Sequence, residues 1–128
     1  MIEIISGSSY IELHKSIEKL DTKSPFLNIN FFKALEKSKS IGKDTGWISF
    51  PIIAKENNII IGFIPIFLKE HSYGEYVFDY AWADAFERAG GRYYPKLQIS
   101  IPFTLATGRR LLVSDRVDSK GLETELAK

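Results

Sequence analysis

The chain has no cysteine. That removes disulfides, thiol nucleophiles and thiolate metal sites together. Only two histidines, His14 and His71, are present, too few to favour a histidine-built zinc centre. Charge of one sign is also missing: seventeen basic against sixteen acidic residues leave a net +1. No global field attracts nucleic acid or an anionic membrane. Long apolar runs are lacking as well. The longest, Ile59 to Leu68, is interrupted by Gly62 and Pro65 and is too short to span a bilayer. The first residues, Met1-Ile-Glu-Ile-Ile-Ser6, lack the basic and long apolar regions of a secretory signal. A cytoplasmic protein is the expectation.

What remains is an ordinary globular composition. With 45% hydrophobic and 26% charged residues over 128 positions, the chain can bury a single core. Charge type shifts along it. Before residue 71 there are nine lysines and no arginine; from His71 onward there are three lysines and five arginines. Isoleucine follows the lysines, with fifteen of seventeen before residue 71. No linker-like tract separates the halves, so one domain over 1–128 is expected.

Ile2 to Ile5 is β-prone. Ser8 or Ser9 can cap a helix over 10–20, with Tyr10, Leu13, Ile17 and Leu20 at helical spacing. Ser24-Pro25 forces a turn. Asn28 suits the cap of a second helix, with Phe31, Ala34 and Leu35 facing inward. Trp47–Lys55 and Ile59–Lys69 read as strands joined by a tight Asn57-Asn58 turn. The second is apolar almost throughout, as a central strand is. Pro65 predicts a bulge or local edge in it. Asp79 can cap a helix over 80–89 whose Trp82, Ala85, Phe86 and Ala89 would face the core, and Gly90-Gly91 would stop it. Strands over 97–101 and 109–113 follow. A short helix capped by Asp118 carries Leu122 and Leu126; at that length it is marginal unless packed.

Residues 71–96 concentrate the chemistry. They hold five of the six tyrosines and one of the two tryptophans, interleaved with Glu75, Asp79, Asp84, Glu87, Arg88, Arg92 and Lys96. Rings beside ions suit a polar ligand such as a sugar, a peptide or a nucleotide. Structural roles compete for the same residues: a core for Trp82 and Phe86, a cap for Asp79, a surface pair for Asp84 and Arg88. His71 has no serine in a nucleophile elbow to activate. The run Thr104 to Arg110 can meet an anion through backbone N–H groups and arginine, but it lacks the Walker and dinucleotide glycine spacings.

The runs Ser72-x-Gly74-Glu-Tyr-Val-Phe-Asp79, Trp82-Ala83-x-Ala85, Gly91-x-Tyr93-Tyr-Pro-Lys-Leu97 and Pro102-Phe-Thr104 resemble the FemAB-like family. That family is associated with peptidoglycan biosynthesis and recognition, within the acyl-CoA N-acyltransferase (GNAT-like) superfamily. Ser24-Pro25-Phe26-Leu27, Gly46-Trp47 and Gly108-x-Arg110-Leu111 fit the same pattern. Leu105 departs from it, since proline is expected there.

Members of that family are considerably longer. The resemblance therefore implies an amino-terminal portion, with the acyl-donor half beyond Lys128. It implies an α+β fold, the first part of a GNAT-like fold with a mixed, mostly antiparallel sheet and packed helices. It implies transfer of an acyl or aminoacyl group to an amine on a small molecule or cell-wall precursor, from acyl-CoA or aminoacyl-tRNA. A complementing carboxy-terminal half is an expected partner; DNA and a membrane span are not, nor is a metal. In this reading Tyr73, Asp79, Trp82, Tyr93 and Tyr94 bind the acceptor with Arg109 and Arg110, and Glu75 or Asp84 serves as general base. A non-catalytic glycan- or peptide-binding module and a split-gene remnant are the alternatives.

Overall fold

The computed structural model describes residues 1–7, 9–17, 20, 24–114 and 119–128. Strand β1 (Ile2–Ser6) leads into helix α1 (Tyr10–Ile17), a 3₁₀ turn (Pro25–Leu27) and helix α2 (Ile29–Lys37). Four strands follow: β2 (Trp47–Ser49), β3 (Ile52–Glu56), β4 (Ile59–Ile64) and β5 (Ile66–Lys69). Helix α3 (Tyr80–Arg88), strands β6 (Lys96–Ile99) and β7 (Leu112–Val113), and helix α4 (Ser119–Leu126) complete the order. The α+β class is as expected and is consistent with part of a GNAT-like fold. The sheet is not mixed, however. It is two sheets, β1-β3-β4-β7 and β2-β5-β6, and every strand pairing among the described residues is antiparallel.

One hairpin builds both sheets. Asn57 and Asn58 have φ of 50° and 63°, the left-handed pair that a two-residue turn requires. Ser49 faces Phe67 and Ile52 faces Ile64, so in the same register Pro51 lies opposite Pro65. Neither has an N–H to give, and the ladder breaks there while the register runs on. Phe50 N–H still donates to the Ile66 carbonyl at 2.9 Å. The bulge predicted at Pro65 lies instead between Ala54 and Lys55. Two facing prolines interrupt both strands equally, so neither needs an extra residue.

The inner faces meet α1 and α2. Tyr10 stacks on Phe32 at 4.7 Å and meets Phe63 edge-on at 5.8 Å; Phe67 closes the cluster. Asn28 caps α2 by accepting from Asn30 N–H at 2.9 Å. The inward stripe of α2 is Ile29 and Phe32, with Phe31 and Leu35 half-buried and Ala34 exposed. It is Phe32, not Phe31, that meets the Tyr10 ring. Glu36 caps α1 from a distance: its carboxylate accepts from Tyr10 and Ile11 N–H and from the Ser9 and Ser49 hydroxyls. Ser9 adds a bond from Ile11 N–H. Ser8, positions 18 and 19 of the expected first helix and the Asp118 cap lie outside the described residues.

On the outer face, α4 sets buried Leu122 and Leu126 against Ala54 and Ile64. Gly62 makes the room: a Cβ there would sit 2.9 Å from Leu126 Cδ1. The short helix is therefore held by packing. Helix α3 behaves differently. Only Ala83 is buried on it. Trp82 is 76% exposed and Phe86 51%, and Ala85 and Ala89 are exposed too. The predicted core stripe exists as a pattern, but among the described residues no sheet face buries it.

Candidate functional site

The cleft forms where the loop after β5, strand β6 and the loop before β7 converge. Inward positions on β5 run Phe67, Lys69, so alternation carries an ammonium group onto the core face. The Lys69 side chain is fully buried. Its Nζ donates to the Tyr73 carbonyl at 3.0 Å, lies 3.5 Å from Glu75 Oε1, and sits 3.8 Å above the Trp47 ring. Trp47 Nε1 donates to the same carbonyl at 3.0 Å. Two donors on one oxygen fix the turn. Gly74, at φ 78°, carries it onward; a Cβ there would lie 2.7 Å from the Phe103 ring and 2.9 Å from Trp47 Nε1.

Strand β6 supplies the second lysine. Lys96 Nζ donates to Glu75 Oε2 at 2.9 Å and Ser72 Oγ at 3.1 Å, and pairs with Asp79. Ser72, itself buried, donates to Asp79 Oδ1 at 2.5 Å and lies 2.6 Å from the Tyr94 hydroxyl. Tyr93 donates to Asp79 Oδ2 at 2.7 Å. Asp79 does occupy the cap position of α3, but its side chain makes no capping bond. Its oxygens are taken by Ser72, Tyr93 and Lys96. The Gln98 amide, turned so that its nitrogen faces Glu75, donates at 2.9 Å and accepts from Ser100.

Two ammonium groups and two carboxylates thus balance beneath the cleft. Burial pushes Asp79 up, but hydrogen bonds from Lys96, Ser72 and Tyr93 outweigh it and hold the carboxyl down at about 2. Burial pushes Lys96 down, and its bonds to Asp79 and Glu75 reverse this, leaving it raised. For Lys69 burial dominates over the attraction of Glu75, and its pKa is lowered. Tyr93 is raised, first by its bond to Asp79.

Above this cluster lies a cavity of about 440 Å³. Glu75 and Asp79 line one side. Gln98, Ser100, Thr104 and Thr107 offer amide and hydroxyl groups, and Tyr76, Val77 and Leu105 offer apolar surface. Arg110 also lines it, with its guanidinium donating to the Ala106 carbonyl at 2.7 Å and the Gly108 carbonyl at 3.1 Å. The arrangement suits a ligand with both apolar and hydrogen-bonding surface. A larger depression of about 650 Å³ beside Ser9 and Lys43 is lined by Glu36, whose oxygens are already committed to the α1 cap.

The sequence-predicted residues divide. Glu75, Asp79, Tyr93 and Tyr94 come together in the cluster, and Arg110 lines the cavity. Tyr73 gives its carbonyl, while its ring is exposed and lies 4.7 Å from His71. His71 accepts from Tyr73 N–H at 3.2 Å and its ring fills the space a side chain at Gly46 would take. Asp84 pairs with Arg88 on the exposed face of α3, and Trp82 projects outward from the same helix. Arg109 pairs with Glu123 of α4. Lys69, Ser72, Lys96 and Gln98 were not among the predicted site residues. Lys69 carried a signal: a lysine at an inward position of an apolar strand needs a buried acid.

Among the described residues, no helix is long and apolar enough to cross a membrane. Residues 5–128 match the family model described as FemAB-like, peptidoglycan biosynthesis/recognition. No curated protein and no solved structure matches the chain. The match takes in nearly all of the sequence, and the chain belongs to the FemAB-like family.

Proposed function

We propose that the cavity over the Lys69–Glu75–Lys96–Asp79 cluster binds a cell-wall-precursor acceptor, as the acceptor side of a cytoplasmic N-acyltransferase-like protein. The observation that carries this reading is the union of family and geometry. The runs that resemble the family supply Ser72, Glu75, Asp79, Tyr93, Tyr94 and Lys96 of the cluster and part of the cavity lining, Gly74 to Val77, Thr104 and Arg110. A muropeptide offers sugar and peptide hydroxyl, amide and apolar surface, which the lining of threonines, Gln98, Tyr76 and Leu105 complements. The donor, acyl-CoA or aminoacyl-tRNA, is held by a complementing carboxy-terminal half. No clustered-glycine loop of the kind that holds a donor pyrophosphate occurs in residues 1–128, and this reading expects no acyl-CoA turnover from these residues alone.

One observation favours a second reading, a binding module without chemistry. Glu75 is the one candidate base that faces the cavity, and both its oxygens are held by lysines. To take a proton it would first have to lose a buried ion pair.

The test is a ¹⁵N NMR titration of residues 1–128 with muropeptide-like ligands. Shifts should concentrate at 74–79 and 98–107. Paired Tyr93→Ala and Tyr94→Ala changes should abolish binding with the circular dichroism spectrum retained. Thiol release from acetyl-CoA over an amine panel should stay at the blank for residues 1–128. Adding a complementing chain should raise it under the first reading only. Shifts confined to other surfaces would refute both.

A further inference from the structure

The cavity carries one charge that the protein does not balance. Among the described residues, the charged side chains that line it are Glu75, Asp79 and Arg110. The two acids are answered from beneath, Glu75 by Lys69 and Lys96, and Asp79 by Lys96. Arg110 has no such answer. It forms no ion pair among the described residues, while the adjacent Arg109 is spent on Glu123. Lys69, Lys96 and Arg110 against Glu75 and Asp79 leave one positive charge over, and it sits on Arg110.

The guanidinium is also held ready. Nη2 donates to the Ala106 carbonyl at 2.7 Å, and Nη1 to the Gly108 carbonyl at 3.1 Å and the Arg109 carbonyl at 3.4 Å. These acceptors are neutral dipoles. They fix the side chain under its own loop and remove none of its net charge. Arginine has five N–H donors, so donors remain after those bonds. Arg110 is half-buried, and Trp47 and Leu105 line the same space. A cation so placed is screened less than one in open water. An ordered fork with spare donors and no counterion matches an anion that presents two oxygens. Thr104 and Thr107, on the same loop, line the cavity beside it.

We propose, resting on the acceptor reading above, that Arg110 is the anion anchor of this cavity and that the ligand is acidic, docking a carboxylate or a phosphate on the guanidinium. A neutral ligand of the same shape leaves the guanidinium unpaired and binds less well. The lysines do not compete for the anion, because each already holds a carboxylate.

Calorimetric titration of residues 1–128 with two pairs of ligands tests this. One pair is a muropeptide with a free carboxylate and the same muropeptide amidated there; the other is a sugar phosphate and the same sugar. The anionic member should bind about tenfold tighter or more, the scale of a hydrogen bond to a charged group, and added salt should shrink the advantage. An advantage in the first pair marks a carboxylate site, and in the second a phosphate site. Arg110→Gln should bring the anionic ligand down to its neutral twin and leave the twin's affinity unchanged. Arg110→Lys, which keeps the charge without the fork, should recover part of the loss. No advantage in either pair, measured on the wild type and so needing no variant to fold, overturns the proposal; the acceptor reading stands if the muropeptides still bind. An Arg110→Gln change that weakens both twins alike also overturns it, since that marks an arginine that only shapes its loop. If neither muropeptide binds while the sugar phosphate gains through Arg110, the acceptor reading fails and the anchor stands.

Discussion

Phe63, Phe67 and Lys69 follow one another along the inner face of one hairpin, yet they belong to two differently built regions. Around Phe63 and Phe67 the contacts are rings: Tyr10, Phe32 and Trp47 within 6.4 Å, centroid to centroid. Two residues on, the contacts are ions: Lys69, Glu75, Lys96 and Asp79 joined by Ser72 and two tyrosines. Ring packing is weakly directional. It sets how tightly helices α1 and α2 sit on the sheets, and many side-chain arrangements satisfy it. Hydrogen-bonded ions are directional. They dictate where the 72–79 loop runs, and so where the wall of the cavity stands. One region gives the molecule most of its stability; the other gives it a shape that a ligand can meet.

The largest effect should come from the ring region. Phe63→Ala removes a fully buried side chain and should cost about 4 kcal/mol, read as a lowered urea midpoint. All parts of the molecule should unfold at that midpoint, the cavity included. Lys96→Met should cost somewhat less, about 3 kcal/mol, because it leaves Glu75 and Asp79 short of a partner. Its signature is local: amide shifts over 72–98 move while the methyl signals of Ile53 stay in place. If both changes moved the two sets of signals alike, the regions would be one unit and the distinction would fail.

Acid should separate them as well. The Asp79 carboxyl is held at about 2, below its ordinary value near ~3.9 in an unfolded chain. A lowered pKa contributes stability that is complete above the unfolded value and is lost as pH falls through the folded one. Thermal melts of wild type and Asp79→Asn should therefore differ most at neutral pH and converge between about pH 4 and pH 2. Phe63→Ala, which titrates nothing, should show no such convergence. The smallest effect belongs to α3. Arg88→Ala breaks an exposed pair with Asp84 and should change stability by only a few tenths of a kcal/mol. It should leave muropeptide binding unchanged.

The ring region was the more legible in sequence. Its signals are local: an asparagine pair makes a turn, Asn28 caps α2, and strand and helix periodicities mark the inward faces. The error in α2 was a small one, with Phe32 taking the place assigned by pattern to Phe31 and Ala34. The ion region was legible as a composition and not as a geometry. The change of residue usage near position 71 does fall where rings give way to ions. Yet Asp79 read as a cap because capping is a local relation, and its actual partners lie 7, 14 and 17 positions away. The α3 stripe read as core because amphipathic spacing cannot say whether a sheet lies beneath it. Arg109 and Arg110 are adjacent and alike in sequence, and only the fold sends one to α4 and the other to the cavity.

The facing prolines have a consequence for how the molecule breathes. Pro51 and Pro65 bring no amide proton to the place where the two sheets join, and among the described residues the two strands are tied there by the Phe50–Ile66 bond. Opening the β2-β5-β6 ladder therefore need not unzip β3 from β4. Amide exchange should fall into two tiers, with slower exchange in the helix-covered β3–β4 pair and faster exchange in β5 and β6. The sheet that carries the cavity wall could then fluctuate, or reshape around a ligand, while the rest of the fold stays closed.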